Sequence, residues 1–267
     1  MLKGSLGLAV LMLLLVLGPA RGAVASTAVP TGNDVSYPQC GQRLPAGQAF
    51  GIVGVNGGIA TTTNPCLATE LAWAASSTGV TDQPKTQLYV NTANPGLASS
   101  VWPTSNVDPS GTLVADPYGD CTGQVDAACA YQYGWNRAND DVNVRLASVT
   151  GTPASSYVWY LDVETANSWS VDVVANRADL EGMTGYFTRV GATTGIYSTS
   201  SQWNTLVGSV DPASSLYALR EWRPGARNLR GAQSNCSLSP LTGGGAVVLT
   251  QYTSGGLDYD VSCEAAA

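Results

Sequence analysis

Runs of β-branched and aromatic residues recur along this chain, but helical stripes separate them only in its earlier part. Strands are predicted near residues 33–36, 50–55, 87–91, 157–163, 194–198, 216–220, 247–252 and 258–262. A fully apolar run such as Phe50-Gly51-Ile52-Val53-Gly54-Val55 fits a parallel strand covered on both faces. Residues 66–77 read as a helix, with Asn64 as cap and Pro65 in its first turn. Residues 128–148 place Tyr131, Trp135, Ala138, Val142 and Leu146 at spacings of three and four, and residues 172–190 form a further stripe ended by Gly191. Residues 201–207 make a short helix at most. After Trp222 a polar loop containing Gly and Arg runs to Gly245, followed by strand material with almost no helical period. Eight strands with early crossovers favour an α/β fold, a TIM-like barrel that is incomplete, with helices after the early strands and few after the late ones. Residues 97–122, rich in Pro, Ser, Gly and Asp, read as a long loop over one end of that barrel.

The N-terminus predicts export. Lys3 precedes an apolar run over residues 6–17, Pro19 and Gly22 break it, and Ala23-Val24-Ala25 supplies the small-x-small pattern of a cleavage site. A membrane anchor is the competing reading, but spanning a bilayer takes roughly 20 apolar residues. The expected organisation is a signal peptide over residues 1–25 and one barrel domain over 26–267, secreted and extracellular or cell-wall associated, monomeric, and free of the membrane after cleavage. The chain carries a net charge of −7; removing Lys3 and Arg21 makes the domain more acidic still. An acidic, lysine-poor surface is repelled by phosphate backbones, so nucleic acid is not an expected partner.

Six cysteines in an oxidising compartment read as disulfides, with fifteen pairings open. The pairing favoured is Cys121 with Cys129, Cys236 with Cys263, and Cys40 with Cys66. Metal ligation is the alternative, but the chain has no CxxC pair and no histidine. Neither a metal nor a cofactor is expected. The absence of histidine also removes Ser-His-Asp and Cys-His nucleophile systems, leaving carboxylates, tyrosines and backbone groups.

Carboxylates then become the focus. In Tyr160-Leu161-Asp162-Val163-Glu164, strand residues two apart face the same way, so Asp162 and Glu164 project together from the end where barrel active sites are built. Two close carboxylates do not ionise independently, and a retained proton suits a general acid. Asp34 ends the first predicted strand, and Asp258 and Asp260 lie on the last, which is its neighbour in a closed barrel. A lone Asp in such context is more often a cap or turn residue; the coincidence of strand-end acids argues for the set. Tyr89, Trp169, Tyr197, Trp222 and Tyr252 offer rings that could stack on sugar faces, although core packing is the commoner role. Asn91, at the end of the third strand, joins them as a binding residue. Arg220, Arg223, Arg227 and Arg230 read as a solvated basic loop that could meet an acidic polymer.

These landmarks, taken in order, resemble glycoside hydrolase family 25. They are Asp34-Val35-Ser36 with Gln39, the 50–58 run ending Asn56-Gly57-Gly58, Leu161-Asp162-Val163-Glu164, Gly195-Ile196-Tyr197-Ser198-Thr199 with Trp203, and Gln251-Tyr252 followed by Asp258. The resemblance implies an incomplete barrel and a lysozyme-like muramidase acting on peptidoglycan. It also implies Glu164 as general acid, Asp162 orienting or stabilising the substrate's acetamido group, and Asp34 and Asp258 completing the acidic cluster. Three features depart from the family pattern: Asn56 stands where an acid is usual, Tyr89-Val90-Asn91 replaces an aromatic pair with histidine, and the loop with Cys121 and Cys129 is additional. The function expected is a secreted hydrolase of a bacterial cell-wall polysaccharide. The alternative is a silent barrel that binds wall glycan or a protein partner.

Overall fold

The computed structural model describes Met1 and residues 29–263, so the expected signal peptide lies outside the described residues. Eight strands close a barrel in sequence order: β1 (Thr31–Val35), β2 (Gly51–Gly54), β3 (Thr86–Asn91), β4 (Val158–Asp162), β5 (Thr193–Tyr197), β6 (Arg220–Ala226), β7 (Val247–Ser254) and β8 (Leu257–Ser262). β1 to β7 run parallel. β8 is antiparallel to both neighbours and closes the barrel by pairing Asp34 with Asp258.

The crossovers carry α1 (Leu67–Ala75), α2 (Ala127–Asp140), α3 (Val173–Arg189), α4 (Ser200–Leu206) and α5 (Leu229–Asn235), while β1 leads to β2 through only a 3-10 turn. Side-chain caps start four of them: Asp126 accepts from Cys129 N, Asp172 from Val174 N, Thr199 from Gln202 N and Asn228 from Gly231 N. The long α2 and α3 are backed by helices expected over the same stretches, and α2 continues as a wider π-type turn over Asp141–Leu146.

Two apolar cores follow from two-sided burial of the strands. Phe50, Ile52, Val158, Tyr160, Trp222 and Leu249 fill the barrel interior. Val53, Leu88, Val90, Trp159, Leu161 and Ile196 face outward against the helices, where Trp159 meets Phe187 at 4.7 Å between ring centroids. All six cysteines are paired, as Cys40–Cys66, Cys121–Cys129 and Cys236–Cys263. Among the described residues no helix is long and apolar enough to cross a membrane.

Two late elements differ from expectation. The sixth strand begins at Arg220 instead of ending there, because residues 211–219 are wound into turns: Asp211 caps Ala213 N at 2.8 Å and Ser214 Oγ accepts from Leu216 N at 3.1 Å. The strand's own Glu221 and Arg223 are buried against each other, a pairing at 3.4 Å that makes charged residues strand-interior. The expected loop after Trp222 contains α5, a two-turn helix that buries only Ala232 and so leaves little apolar period. Arg223 is therefore not part of a solvated basic loop.

Candidate active site

At the C-terminal end of the parallel strands, a cavity of about 250 Å³ is lined by Asp34, Asp162, Glu164 and Asp258 together with Tyr89, Tyr197, Trp222, Gln251 and Thr253. Each acid reaches it from a strand end, and the backbone beneath Asp162 and Glu164 is tied from both sides. Thr92 donates through N and Oγ1 to the Asp162 carbonyl, at 3.2 and 2.6 Å. Val163 N donates to Tyr197 O at 2.9 Å, and Ser198 Oγ to Val163 O at 2.7 Å. Trp169 Nε1 donates to Glu164 O at 2.8 Å. Every peptide carbonyl of the Asp-Val-Glu element is thereby engaged, which fixes the direction of both side chains.

Burial sets the charge states. Burial, then the nearby Glu164 and Asp34 carboxyls, holds Asp162 well above the usual carboxylate range, and its buried Oδ1 has no hydrogen-bond partner. Asp34 meets the solvent of the cavity but is crowded by protein atoms; burial and then Asp258 push it up to about 7, against the pull of its bond from Gln251. Asp260, wholly buried behind the cavity, is raised well above its usual range by burial and by Asp34, and accepts from Trp222 Nε1 at 2.9 Å. Burial likewise keeps the Tyr89 and Tyr197 phenols neutral. Several carboxyls brought to one cavity, some held neutral by burial, form an acid–base set of the kind that cleaves glycosidic bonds.

Gln251 links the two sides of the mouth. Its Oε1 accepts from Tyr197 OH at 2.9 Å and its Nε2 donates to Asp34 Oδ2 at 2.7 Å. Thr253 Oγ1 donates to Asp258 Oδ1 at 2.7 Å. The Tyr197 and Trp222 rings pack at 4.4 Å between centroids and form an aromatic floor.

Of the residues singled out in the sequence, Asp34, Asp162, Glu164, Asp258, Tyr89, Tyr197 and Trp222 come together in this lining. Four others do not line it, Asp260 among them, buried behind the cavity. Trp169 packs against the outer core while holding the Glu164 carbonyl. Tyr252 stacks on Tyr259 at 5.2 Å, on the opposite face of β7 from Gln251. Asn91 is bound to Asn56, whose Oδ1 accepts from both Asn91 N and Asn91 Nδ2 and whose Nδ2 donates to Asn91 O. Two departures from the family pattern are thus one structural unit, an amide pair that joins the ends of β2 and β3. Gln251 and Thr253 were not singled out as site residues, because neutral side chains acquire their place only through the register of β7 against β8. Among the described residues no group of three His, Cys, Asp or Glu side chains could hold a metal ion.

No family model matches the chain. A curated relative named probable GH family 25 lysozyme 4, from Dictyostelium discoideum, is 32% identical over 113 residues. That match covers 42% of this chain and 50% of the relative, so the chain spans about half the length of the relative it matches. A muramidase from Trichobolus zukalii superposes with a TM-score of 0.55 at 14% identity, covering 89% of this chain and 95% of that one. A family GH25 lysozyme from Aspergillus fumigatus gives 0.53 at 13% identity over 87% and 93%. The modular Cpl-1 endolysin, solved with a peptidoglycan analogue, a tetrasaccharide-pentapeptide, gives 0.54 at 16% identity over 88% of this chain and 54% of that one. At these identities the structural likeness shows the fold, an incomplete α/β barrel shared with these lysozymes, and over 113 residues the chain is similar in sequence to a GH family 25 lysozyme.

Proposed function

We propose that this domain is a secreted, muramidase-like glycoside hydrolase that cuts the glycan of a bacterial cell wall. The observation that carries the reading is the convergence of Asp34, Asp162, Glu164 and Asp258, from three separate parts of the chain, on one aromatic-floored cavity. Glu164, partly exposed at the mouth, is the general acid that protonates the leaving glycosidic oxygen. Asp162, neutral through burial and with Oδ1 unpartnered, holds the acetamido group of the sugar at the cleavage point and turns it toward the anomeric carbon. Asp34 and Asp258 complete the acidic cluster, their carboxyl oxygens lining the cavity where positive charge develops on that sugar. The likeness to a GH family 25 lysozyme and to a muramidase supports this substrate class. Asn56 does not weaken the reading, since its side chain is fully buried and committed to Asn91, outside the cavity lining.

Release of soluble fragments from purified bacterial walls tests it. The exported domain releases them, and Glu164→Gln lowers the rate by at least about 100-fold, the usual worth of a positioned general acid, with an unchanged melting temperature. Binding to walls without release by the unaltered protein would replace this reading with a silent glycan-binding barrel.

A further inference from the structure

A second cavity, of about 380 Å³, opens at the same end of the barrel, between the loops that follow β2, β3 and β4. The β4 loop joins it directly to the acid site, because Glu164 lines one cavity and Ala166 to Ser168 line the other. Its chemistry is the opposite of the acidic mouth. No charged side chain lines it; Ile59, Ala60, Ala93, Ala98 and Ala166 supply methyl groups. Ser99, Asn167 and Ser168 supply uncharged hydrogen-bonding groups, and Asn167 Nδ2 has no partner within the protein. Ile59 is 63% exposed on its wall and Leu97, beside it, 71% exposed, so apolar surface faces solvent around the opening.

The volume falls within the range of small-ligand sites, and far exceeds one acetamido group. A pyranose ring would find no open aromatic face here, since Tyr133, the one ring in the lining, is 1% exposed. A lining of methyl groups set among uncharged amide and hydroxyl groups instead matches short side chains on a peptide backbone. Resting on the function proposed above, we infer that this cavity receives the alanine-containing peptide that hangs from the wall glycan, while the glycan itself lies across the acids. The domain then reads two parts of one polymer: the sugar chain at the acidic mouth and its peptide branch one loop away.

Binding, measured separately from turnover, tests this. Soluble glycan strands are prepared with their peptides intact or stripped by an amidase, and titrated against the Glu164→Gln protein with and without Ala98→Trp, a change at an exposed lining position. Peptide-bearing strands bind about tenfold more tightly than stripped ones, the discrimination that one buried methyl group supplies. Ala98→Trp erases that difference and leaves affinity for stripped strands unchanged. Equal affinity for both preparations overturns the inference, as does an Ala98→Trp protein that loses both alike, which would run the glycan through this cavity. Tri-alanine titrated by NMR gives a readout independent of any glycan: shifts at Ala98 and Ala166 support the assignment, and their absence overturns it even if walls are cut.

Discussion

Asp34 and Gln251 carry a consequence for how the protein responds to pH. In the fold Asp34 keeps its proton up to about 7, whereas in the unfolded chain it loses it near 3.8. Between those values the folded state holds more protons than the unfolded one, so stability falls as pH rises from about 4 to about 7. Asp162 and Asp260, both raised by burial, steepen the same slope. Asp34→Asn removes its share: the melting temperature declines less between pH 4 and 7, by several degrees at roughly 2–4 °C per kcal/mol for a domain of this size. A variant with the same slope as the parent would show that Asp34 ionises freely in the fold. At this scale the acids were legible because charge at strand ends with period two has few structural uses. The neighbours Gln251 and Tyr252 show the limit of such a reading. Aromaticity drew attention to Tyr252, but alternation along β7 turns Gln251 inward and Tyr252 out onto Tyr259.

The helices α2 and α3 touch backbone to backbone. A Cβ at Gly134 would strike the Asp179 carbonyl, and one at Gly182 would strike the Tyr131 carbonyl and approach Trp135 N. Glycine in a helix interior costs about 1 kcal/mol relative to alanine, so these positions give up helix propensity for close approach. Gly182→Ala is expected to reverse the sign seen in exposed helices and destabilise by about 1–3 kcal/mol, measured by urea unfolding with an unchanged slope. The stripes of both helices were legible because their apolar sides follow 3.6-residue spacing over many turns. β6 and α5 were not. Charged side chains at Glu221 and Arg223 disguise a buried strand, since their partners, Thr242 N at 2.9 Å and Ser200 Oγ at 2.7 Å, come from elsewhere in the chain. A helix of seven residues with one buried side chain has no period to detect.

For the molecule as a whole, closure depends on its last strand. β8 supplies Asp258 and Asp260 and meets β1 through Asn33 Nδ2, which donates to Asp258 O at 2.6 Å. Cys263 fastens the far end of β8 to Cys236, at the end of α5. Removing that bond with Cys236→Ser and Cys263→Ser is expected to lower stability by about 2–4 kcal/mol, the usual worth of a disulfide. Circular dichroism melts of the oxidised parent and the double variant measure it; coincident melts would mean that strand pairing alone holds the closure. The barrel was legible from the count of strands and the early crossovers, while the antiparallel direction of β8 rests on a two-residue hairpin turn, Gly255-Gly256, both at positive φ. Closure also imposes an order in time. Asp34 emerges with the first strand, yet its partner Gln251 follows 217 positions later and Asp258 after that. A chain still being made holds scattered acids and no cleft, so the cavity exists only once the last strand is in place.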